Sequence, residues 1–482
     1  MDGSAVAFRQ GDRAVDYATL AARVEALARG LSGLGVGRGD RVAYLGLNDI
    51  ATFETFFACG RLGAIFVPLN YRLAAPEIAY LLGDCGATVF VYGPEHADLV
   101  TAAAAGVPHV VALGEAYERL LTGGEPVEST VDLADDALIL YTSGTTGRPK
   151  GAVLTHGSIT FNTLNQLAHL DVLRGDTVVC TAPLYHVTGL GQISLPTLFK
   201  GGTVIVAPRF EPAGLLALIG AERVVAFSAV PTMLQLLRDC PEWAAADLSS
   251  LRCVVYGGSP IDERVALAWR ERGVETLQGY GMTEAAPGVL MQLPGAATPL
   301  SAGVPHFYTE VALLGPDGTR RAAPAAGELV ARGPNMFRGY WKRPEDTARV
   351  LGPDGWFRSG DVVRIGADGL GYIVDRVQDV IISGGENIYP AEVEGVLRAL
   401  PGIADCAVVG VPDQRWGEVG VAFLVPAAGA RLDDAEVRAY LESNLARFKV
   451  PKYLRVVTEL PRTSTGKIQR GQLRQIGLST VD

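Results

Sequence analysis

The sequence has few cysteines and none of the cysteine patterns that build zinc or disulfide sites. Its 482 residues contain six cysteines, and no two of them have the short spacing of metal ligands. In a chain of this length, so sparse a set does not form a disulfide framework, so we expect buried thiols in a reducing compartment. The six are Cys59, Cys85, Cys180, Cys240, Cys253 and Cys406.

An excess of positive charge is also missing. Lys and Arg together number 42 against 52 for Asp and Glu, which gives a formal net charge of −10. Because a nucleic-acid-binding surface is basic, this balance argues against a nucleic-acid partner. It leaves room for a local basic pocket that binds one phosphorylated ligand.

Apolar segments suited to a membrane or to export are lacking as well. The uncharged stretch Thr177–Phe199 is interrupted by prolines and glycines, which makes it a poor transmembrane helix. Residues 1–13 have no apolar core of the kind found in signal peptides. We therefore expect a cytoplasmic protein without a transmembrane segment.

What the sequence does contain is a regular alternation of helices and strands. Helical spacing of apolar residues predicts a helix over 15–35, and short apolar runs predict strands at 41–45, 64–68 and 88–92. Strands that alternate with helices are typical of parallel sheets. The composition, 48% apolar and 20% charged, fits a globular protein, and the length suggests about three folding units.

The pattern changes twice towards the C-terminus. From about residue 300, turns rich in Gly, Pro and Asp predict the hairpins of a small β subdomain. After about residue 378 the alternation of helices and strands returns, which predicts a further compact domain.

A dense cluster of glycines and hydroxyl side chains follows the predicted strand at 138–141. Backbone N–H groups of glycines can converge on an anion, and hydroxyl groups and a lysine add further donors. The cluster is not a Walker A motif, because Lys150 is followed by Gly151. We predict that it binds phosphate through Thr142, Ser143, Gly144, Thr145, Thr146, Gly147 and Lys150.

This cluster is the first of seven motifs that occur in order along nearly the whole chain. Together they resemble the signatures of the adenylate-forming superfamily, which includes acyl-CoA synthetases, peptide-synthetase adenylation domains and beetle luciferases. Through Ile382–Pro390 the chain resembles bacterial fatty acyl-CoA synthetases in particular. The seven motifs are Tyr141–Gly151, Pro183–Val187, Tyr256–Pro260, Gly279–Glu284, Trp356–Asp361, Tyr372–Arg376 and Pro461–Lys467.

The resemblance implies an α/β multidomain fold. We expect a large N-terminal domain of two α/β subdomains plus a small β subdomain, and a smaller, mobile α+β C-terminal domain. The N-terminal adenylation core is placed at 1–375, the hinge at 376–378 and the C-terminal domain at 379–482. Relatives usually have Lys or Asp at the hinge position, so Gln378 departs from the family pattern.

The resemblance also implies a reaction in two steps, with ATP, Mg²⁺ and CoA taking part. The acid is joined to the α-phosphate of ATP with release of pyrophosphate, and the acyl group then passes to CoA. Glu284 is the expected Mg²⁺ ligand, Thr283 is expected to donate to the α-phosphate, and Lys467 is expected to stabilise charge in the adenylation transition state. The other expected ATP contacts are Gly258, Ser259, Gly279, Tyr280, Gly281, Asp361 and Arg376.

Two further sets of residues are assigned to the acyl group and to CoA. His186 is expected to close the acyl tunnel or to contact the leaving phosphate. Glycines without a Cβ atom would let the pantetheine arm of CoA pass, and the expected path is Ser383, Gly384, Gly385 and Glu386. The expected acyl pocket is formed by Tyr185, Val187, Thr188, Val230, Gly257 and Gly258.

The expected acyl pocket is small-walled and mostly apolar, which favours a fatty acid or another bulky hydrophobic acid. The gate segment around His186 has no Asp, which argues against α-amino acids, and Gly279 stands where malonate-activating relatives have Arg. Transfer of the acyl group to a carrier protein and adenylation on behalf of another ligase stay open as alternatives. A non-catalytic acyl or nucleotide sensor is disfavoured by Lys467, and a homodimer stays open.

Overall fold

The computed structural model describes residues 2–125, 127–142, 149–258, 261–296, 298, 301–315, 317–383, 386–463 and 467–478, with residues 386 and 387 as backbone only. The chain divides into two compact units. The first unit is Met1–Val311 with Ala331–Phe357, and the second is Ala312–Val330 with Arg358–Asp482.

Strands and helices alternate along the first unit, as the sequence predicts. In chain order the strands are β1 Val6–Gln10, β2 Arg13–Asp16, β3 Arg41–Leu45, β4 Ile65–Leu69, β5 Val89–Tyr92, β6 His109–Ala112, β7 Asp136–Thr142, β8 Lys150–Thr155, β9 Thr177–Cys180, β10 Thr203–Val206, β11 Ala226–Ala229, β12 Cys253–Tyr256, β13 Glu275–Gly281, β14 Gly288–Met291 and β15 Val304–Pro305. The helices are α1 Tyr17–Gly33, α2 Ile50–Leu62, α3 Ala75–Cys85, α4 Ala97–Ala103, α5 Glu115–Leu120, α6 His156–His169, α7 Val187–Gly191, α8 Ser194–Lys200, α9 Pro212–Ala221, α10 Pro231–Arg238 and α11 Glu263–Glu271.

The remainder of the chain begins with strands and ends with mixed elements. Its strands are β16 Glu310–Leu314, β17 Arg320–Arg321, β18 Ala325–Arg332, β19 Gly339–Tyr340, β20 Phe357–Ile365, β21 Gly371–Arg376, β22 Ile381–Ser383, β23 Glu386–Ile388, β24 Ile403–Asp413, β25 Gly417–Pro426 and β26 Tyr453–Val456. Its helices are α12 Pro344–Val350, α13 Pro390–Ala399, α14 Asp434–Asn444 and α15 Arg470–Leu478.

A nine-stranded sheet of the first unit positions most of the candidate site. Its order is β15-β14-β13-β12-β11-β9-β10-β1-β2, and the strands from β13 to β10 in this order run parallel. Parallel neighbours end at the same edge of a sheet, which is where ligands bind in folds of this class. The segments that follow β9, β11, β12 and β13 therefore meet at one edge.

A large apolar core lies against this sheet. Phe227, Tyr256 and Trp269 are fully buried in it, together with leucines of α9 and α10. The indole N–H of Trp269 donates to the carbonyl of Leu234 at 3.2 Å, so this buried polar group is satisfied. Such close packing holds the strand ends in fixed positions.

A second sheet of the first unit carries the predicted phosphate-binding segment. Its order is β19-β8-β7-β4-β3-β5-β6. Strands β7 and β8 are antiparallel, and Thr142 pairs with Lys150 in their register. The two ends of the segment are thereby fixed opposite each other.

The β subdomain predicted after residue 300 is present, but its grouping differs from the prediction. The sheet β17-β16-β18-β20-β21 falls largely in the second unit, together with the sheet β23-β22-β25-β24 and its additional strand β26. Asp375, near the end of β21, connects the first of these sheets to α13. Its carboxylate accepts a 2.8 Å hydrogen bond from the backbone N–H of Ala391. The second unit thus begins before residue 375 in the chain. The hinge at 376–378 stays a prediction.

The cysteines are free and mostly buried, as the sequence predicts. All six cysteines are free thiols, and Cys59, Cys85, Cys180 and Cys406 are buried. Burial raises the pKa of Cys85, Cys180 and Cys406 to about 12. Across the described ranges, no helix combines the length and the apolar character needed to cross a bilayer.

Candidate active site

The gate segment follows β9 and leads into α7. The ring of Tyr185 packs edge-on against Tyr71, with 5.3 Å between the ring centroids, and burial raises the pKa of Tyr185 to about 12. His186 caps α7: its Nδ1 lies 2.9 Å from the hydroxyl of Thr188 and 3.4 Å from the backbone N–H of the same residue. The cap fixes the orientation of the imidazole, and Val187 behind it is buried.

Two glycines at neighbouring strand ends approach each other closely. A Cβ atom on Gly257 would lie 2.9 Å from the carbonyl oxygen of Gly279, and a Cβ atom on Gly279 would lie 3.2 Å from the amide nitrogen of Gln192. Gly258 has a φ of +91°, which glycine adopts without strain. Val230, the third predicted acyl residue at these strand ends, follows β11 and is the N-cap residue of α10.

Gln192 was not among the residues predicted from the sequence. It follows α7, and its backbone N–H donates to the carbonyl of Thr188 at 3.2 Å. Its side chain is 4% exposed, and its amide oxygen has no hydrogen-bond partner among the described residues. A lone amide within the uncharged stretch Thr177–Phe199 is the signal that could have found it.

The lysine of the predicted phosphate-binding segment is held by an acid from α12. Lys150 Nζ lies 2.9 Å from Asp346 Oδ1, and both side chains are largely buried. The same ammonium lies 5.7 Å from the centroid of the Tyr340 ring. The structure thus places Lys150 in a defined position, while predicted residues Ser143, Gly144, Thr145, Thr146 and Gly147 lie outside the described residues.

Glu284 lies in a short 3-10 turn, Thr283–Ala285, that follows β13. Its Oε1 accepts a 2.7 Å hydrogen bond from the hydroxyl of Tyr340, and its backbone carbonyl accepts one from the N–H of Phe337. Burial and the neighbouring carboxylate raise the pKa of Tyr340, so the phenol remains a donor. Tyr340 therefore contacts the predicted Mg²⁺ ligand and the predicted phosphate-binding lysine, and neither Tyr340 nor Asp346 was predicted.

The other predicted nucleotide contacts on β13 differ in exposure, since Tyr280 is buried and Gly281 is exposed. Tyr280 is 8% exposed and pairs with Leu290 of β14. Gly281 lies directly against β14, since a Cβ atom there would overlap the carbonyl of Pro287. Ser259, also predicted here, lies outside the described residues.

In the second unit, the two predicted ribose contacts form an ion pair. Asp361 of β20 and Arg376 of β21 are register partners, and Arg376 Nε lies 3.2 Å from Asp361 Oδ1. The carboxylate is mostly buried, whereas the guanidinium is exposed. Both side chains therefore present polar atoms at one position on the sheet.

The predicted hinge residues are linked to the last helix. Arg474 of α15 donates to the backbone carbonyl of Gln378 at 2.9 Å and to Asp379 at 2.8 Å. Arg470, one turn earlier, donates to the buried Glu394 at 2.7 Å. This network connects the chain after the predicted hinge with the segment that carries Lys467.

Lys467 lies three residues before α15 and is exposed. Its backbone N–H donates to the hydroxyl of Thr463 at 3.1 Å, and its carbonyl accepts from the N–H of Thr463 at 2.8 Å. Next to these two residues, Arg462 and Ile468 form an antiparallel bridge. The backbone, rather than the lysine side chain, thus accounts for these contacts.

The predicted CoA path begins beside an exposed tryptophan that the sequence did not single out. Ser383 pairs with Gly417, the residue after Trp416. The indole of Trp416 is 45% exposed, and the guanidinium of Arg415 lies 4.8 Å from its ring centroid. Of the other path residues, Glu386 is described in its backbone only, and Gly384 and Gly385 lie outside the described residues.

Comparison with known protein families shows to which family this chain belongs. The model of the AMP-binding enzyme family matches residues 1–341, and that of the AMP-binding enzyme C-terminal domain matches residues 392–467. The chain belongs to the AMP-binding enzyme family. This confirms the resemblance drawn from the motifs, and the protein is an AMP-forming acid–thiol ligase of the acyl-CoA ligase class.

Three relatives show how far the likeness to AMP-binding enzymes extends. A feruloyl-CoA synthase from Amycolatopsis sp is 50% identical over 477 residues, covering 98% of this chain and 96% of the relative. An indoleacetate–CoA ligase from Aromatoleum aromaticum is 40% identical over 483 residues, covering 98% and 94%. The solved structure of a Mycobacterium tuberculosis fatty acyl CoA synthetase has a TM-score of 0.81 and 34% identity, covering 99% of this chain and 96% of that one.

The AMP-binding family implies ATP and CoA as substrates beside a small carboxylic acid. The predicted fold class is confirmed, because solved acyl-CoA synthetases share the large N-terminal and smaller C-terminal domains. The roles assigned to individual residues are not tested by these likenesses and remain predictions.

Proposed function

We propose that this ligase activates an aromatic carboxylic acid of the hydroxyarylpropenoic type and transfers it to CoA. The observation that carries the proposal is the buried, unpaired amide oxygen of Gln192, whose amide nitrogen lies 3.2 Å from the position of a Cβ atom on Gly279. An alkyl tail would leave that oxygen without a partner, which is unfavourable, whereas a substituted ring can offer a donor. Two relatives are named for aromatic acids, ferulate and indoleacetate, which supports the same class.

Further buried polar groups on α6 support an acid that is not purely aliphatic. The Asn162 amide donates to the carbonyl of Gly191 at 2.8 Å and accepts from the N–H of Gly288 at 3.2 Å. One turn later, the amide oxygen of Gln166 is buried and has no partner among the described residues. The side chains near Gln192 are thus more polar than the sequence-predicted pocket.

In the first step, the chain's own residues would bind the reactants and stabilise charge. Lys150 and the segment before it would hold the phosphates of ATP, and Asp361 would accept hydrogen bonds from the ribose hydroxyls. Lys467 would offset the negative charge that develops when the substrate carboxylate attacks the α-phosphate, and pyrophosphate would leave.

Glu284 would hold Mg²⁺. Among the described residues, no cluster of three or more His, Cys, Asp or Glu side chains could bind a metal ion. Mg²⁺ in nucleotide sites is commonly held by one or two carboxylates together with phosphate oxygens, so one carboxylate fixed by Tyr340 fits this requirement. When bound, Mg²⁺ would neutralise part of the phosphate charge.

In the second step, we propose that Trp416 and Arg415 contact the nucleotide end of CoA. Their exposed indole and guanidinium stack on each other beside Ser383, where the predicted pantetheine path begins. An aromatic face and a cation suit an adenine ring and a phosphate, respectively. Transfer to a carrier protein is the alternative acceptor.

A panel of acids offered with ATP, with and without CoA, tests the proposal. Products are read by mass spectrometry, and the panel contains cinnamate, 4-hydroxycinnamate, ferulate, indoleacetate and saturated fatty acids of several lengths. We expect acyl-AMP from the hydroxyarylpropenoic acids and the matching thioester when CoA is present. Preference for fatty acids would contradict the proposed acid, and discharge only by a phosphopantetheinyl carrier protein would contradict CoA as acceptor.

A further inference from the structure

Gln192 contacts one residue of the predicted acyl pocket, Thr188, and lies against one predicted nucleotide contact, Gly279. Its backbone N–H donates to the carbonyl of Thr188, so the two residues stand one helical turn apart in the gate segment. Its amide nitrogen lies 3.2 Å from the position of a Cβ atom on Gly279, whose own carbonyl faces Gly257. The Gln192 amide therefore fills the space that a side chain at position 279 would occupy.

The amide oxygen of Gln192 is buried and unsatisfied within the described part of the chain. The side chain is 4% exposed, and Oε1 accepts no hydrogen bond from any described residue. Buried polar atoms are nearly always paired, so an unpaired one calls for an explanation. If the Gln192 side chain served only to stabilise the fold, we would expect both its amide oxygen and its amide nitrogen to make hydrogen bonds within the protein.

Two polar side chains of the same region, Asn162 and Tyr256, are already engaged with other partners. The Asn162 amide bridges Gly191 and Gly288, and the hydroxyl of Tyr256 donates to Gln278 at 3.3 Å. Those contacts stay within the protein, whereas the Gln192 oxygen is left to accept from something else. A hydroxyl group on a bound substrate would supply such a donor.

We propose that Gln192 determines the specificity for a ring hydroxyl, which donates a hydrogen bond to its amide oxygen. The inference rests on the proposed aromatic substrate and adds the residue that distinguishes hydroxylated from unsubstituted rings. A site built to pair with a hydroxyl discriminates against the analogue that lacks it, because the buried oxygen then stays unpaired. The carboxylate end of the acid is not involved.

The test compares Gln192→Leu with the wild-type protein on two acids that differ by one hydroxyl. Leu has a similar size and no amide, and 4-hydroxycinnamate and cinnamate serve as probes, with pyrophosphate release as the readout. We expect the wild-type protein to prefer 4-hydroxycinnamate by roughly tenfold or more in kcat/KM, and the variant to lose most of that preference. Cinnamate should be used by the variant at least as well as by the wild type.

Gln235→Leu is the matched control, because Gln235 is exposed on α10 and the change should leave the preference intact. If the leucine variant does not fold, as judged by thermal melting, Gln192→Met provides the same comparison. An unchanged preference, or an equal loss with both acids, would overturn the role of Gln192. Failure of the wild type with every aryl acid would instead refute the proposed function.

Discussion

The hydroxyl of Tyr340 donates a 2.7 Å hydrogen bond to the carboxylate of Glu284. The face of the same ring lies 5.7 Å from the ammonium of Lys150. One aromatic side chain therefore helps to position both the proposed Mg²⁺ ligand and the proposed phosphate contact. Because burial and Glu284 raise the pKa of Tyr340, the phenol keeps its proton at physiological pH.

Tyr340→Phe tests this positioning role. Phenylalanine keeps the ring beside Lys150 and removes only the hydrogen bond to Glu284, so we expect a higher Mg²⁺ requirement and a loss of roughly tenfold in adenylation. Pyrophosphate release measured across a Mg²⁺ titration checks it. The exposed Tyr308→Phe is the control, and an unchanged Mg²⁺ titration in Tyr340→Phe would contradict the role.

Lys467→Ala tests the assignment of the adenylation lysine. Lys467 is exposed, and its hydrogen bonds to Thr463 are made by its backbone, so we expect the variant to fold. We expect adenylation to fall by roughly a hundredfold or more, because charge in the transition state loses its counterion. Thioester formation from supplied acyl-AMP should be spared, and the exposed Lys200→Ala should leave both steps unchanged.

Trp416→Ala tests the proposed contact with CoA. Removal of the exposed indole should raise KM for CoA several-fold and leave KM for ATP unchanged, since stacking on an adenine contributes only to CoA binding. Steady-state kinetics of thioester formation separate the two constants. The exposed Phe199→Ala serves as the control, and equal changes in both KM values would point to a general loss of structure.

Asp375 predicts a pH dependence of stability. Burial raises the pKa of this carboxyl to about 6, although the backbone N–H groups of Ala391 and Arg376 oppose the shift. The folded state therefore binds the proton more tightly than the unfolded state, so this group contributes stability at low pH that is lost as the pH rises through about 6. The shift corresponds to about 3 kcal/mol.

The Asp375→Asn variant isolates this contribution. Its stability relative to the wild type should improve as the pH rises from about 4 to about 6 and then level off, because only the wild type titrates at this position. Thermal melting of both proteins over this pH range measures the difference. A constant difference across the range would show that Asp375 does not titrate there.

Much of the fold could be predicted from the sequence, because apolar spacing and turn residues are local signals. The helix predicted over 15–35 and the strand at 41–45 correspond to α1 and β3 with small shifts at their ends. Thr177–Phe199 was harder to assign: it contains β9, α7 and α8, and its nearly continuous apolar character hides helical periodicity.

The residues that support the candidate site were not predictable in the same way. Asp346 in the first turn of α12 looks like an ordinary helix-start acid, and only the tertiary fold brings it to Lys150. Tyr340 and Glu284 are far apart in the chain, and so are Gln192 and Gly279. Motifs indicate which residues react, whereas the partners that hold them depend on packing between distant segments.

The close approach of Gly257 and Gly279 limits how this scaffold can be redesigned. A side chain at either position would have to displace backbone or the Gln192 amide, so the strand ends offer little freedom for substitution. Engineering towards a different acid should therefore begin at position 192, which follows α7 and lies outside the strands. Libraries that vary this position and leave both glycines fixed should retain more folded enzymes than libraries that vary all three.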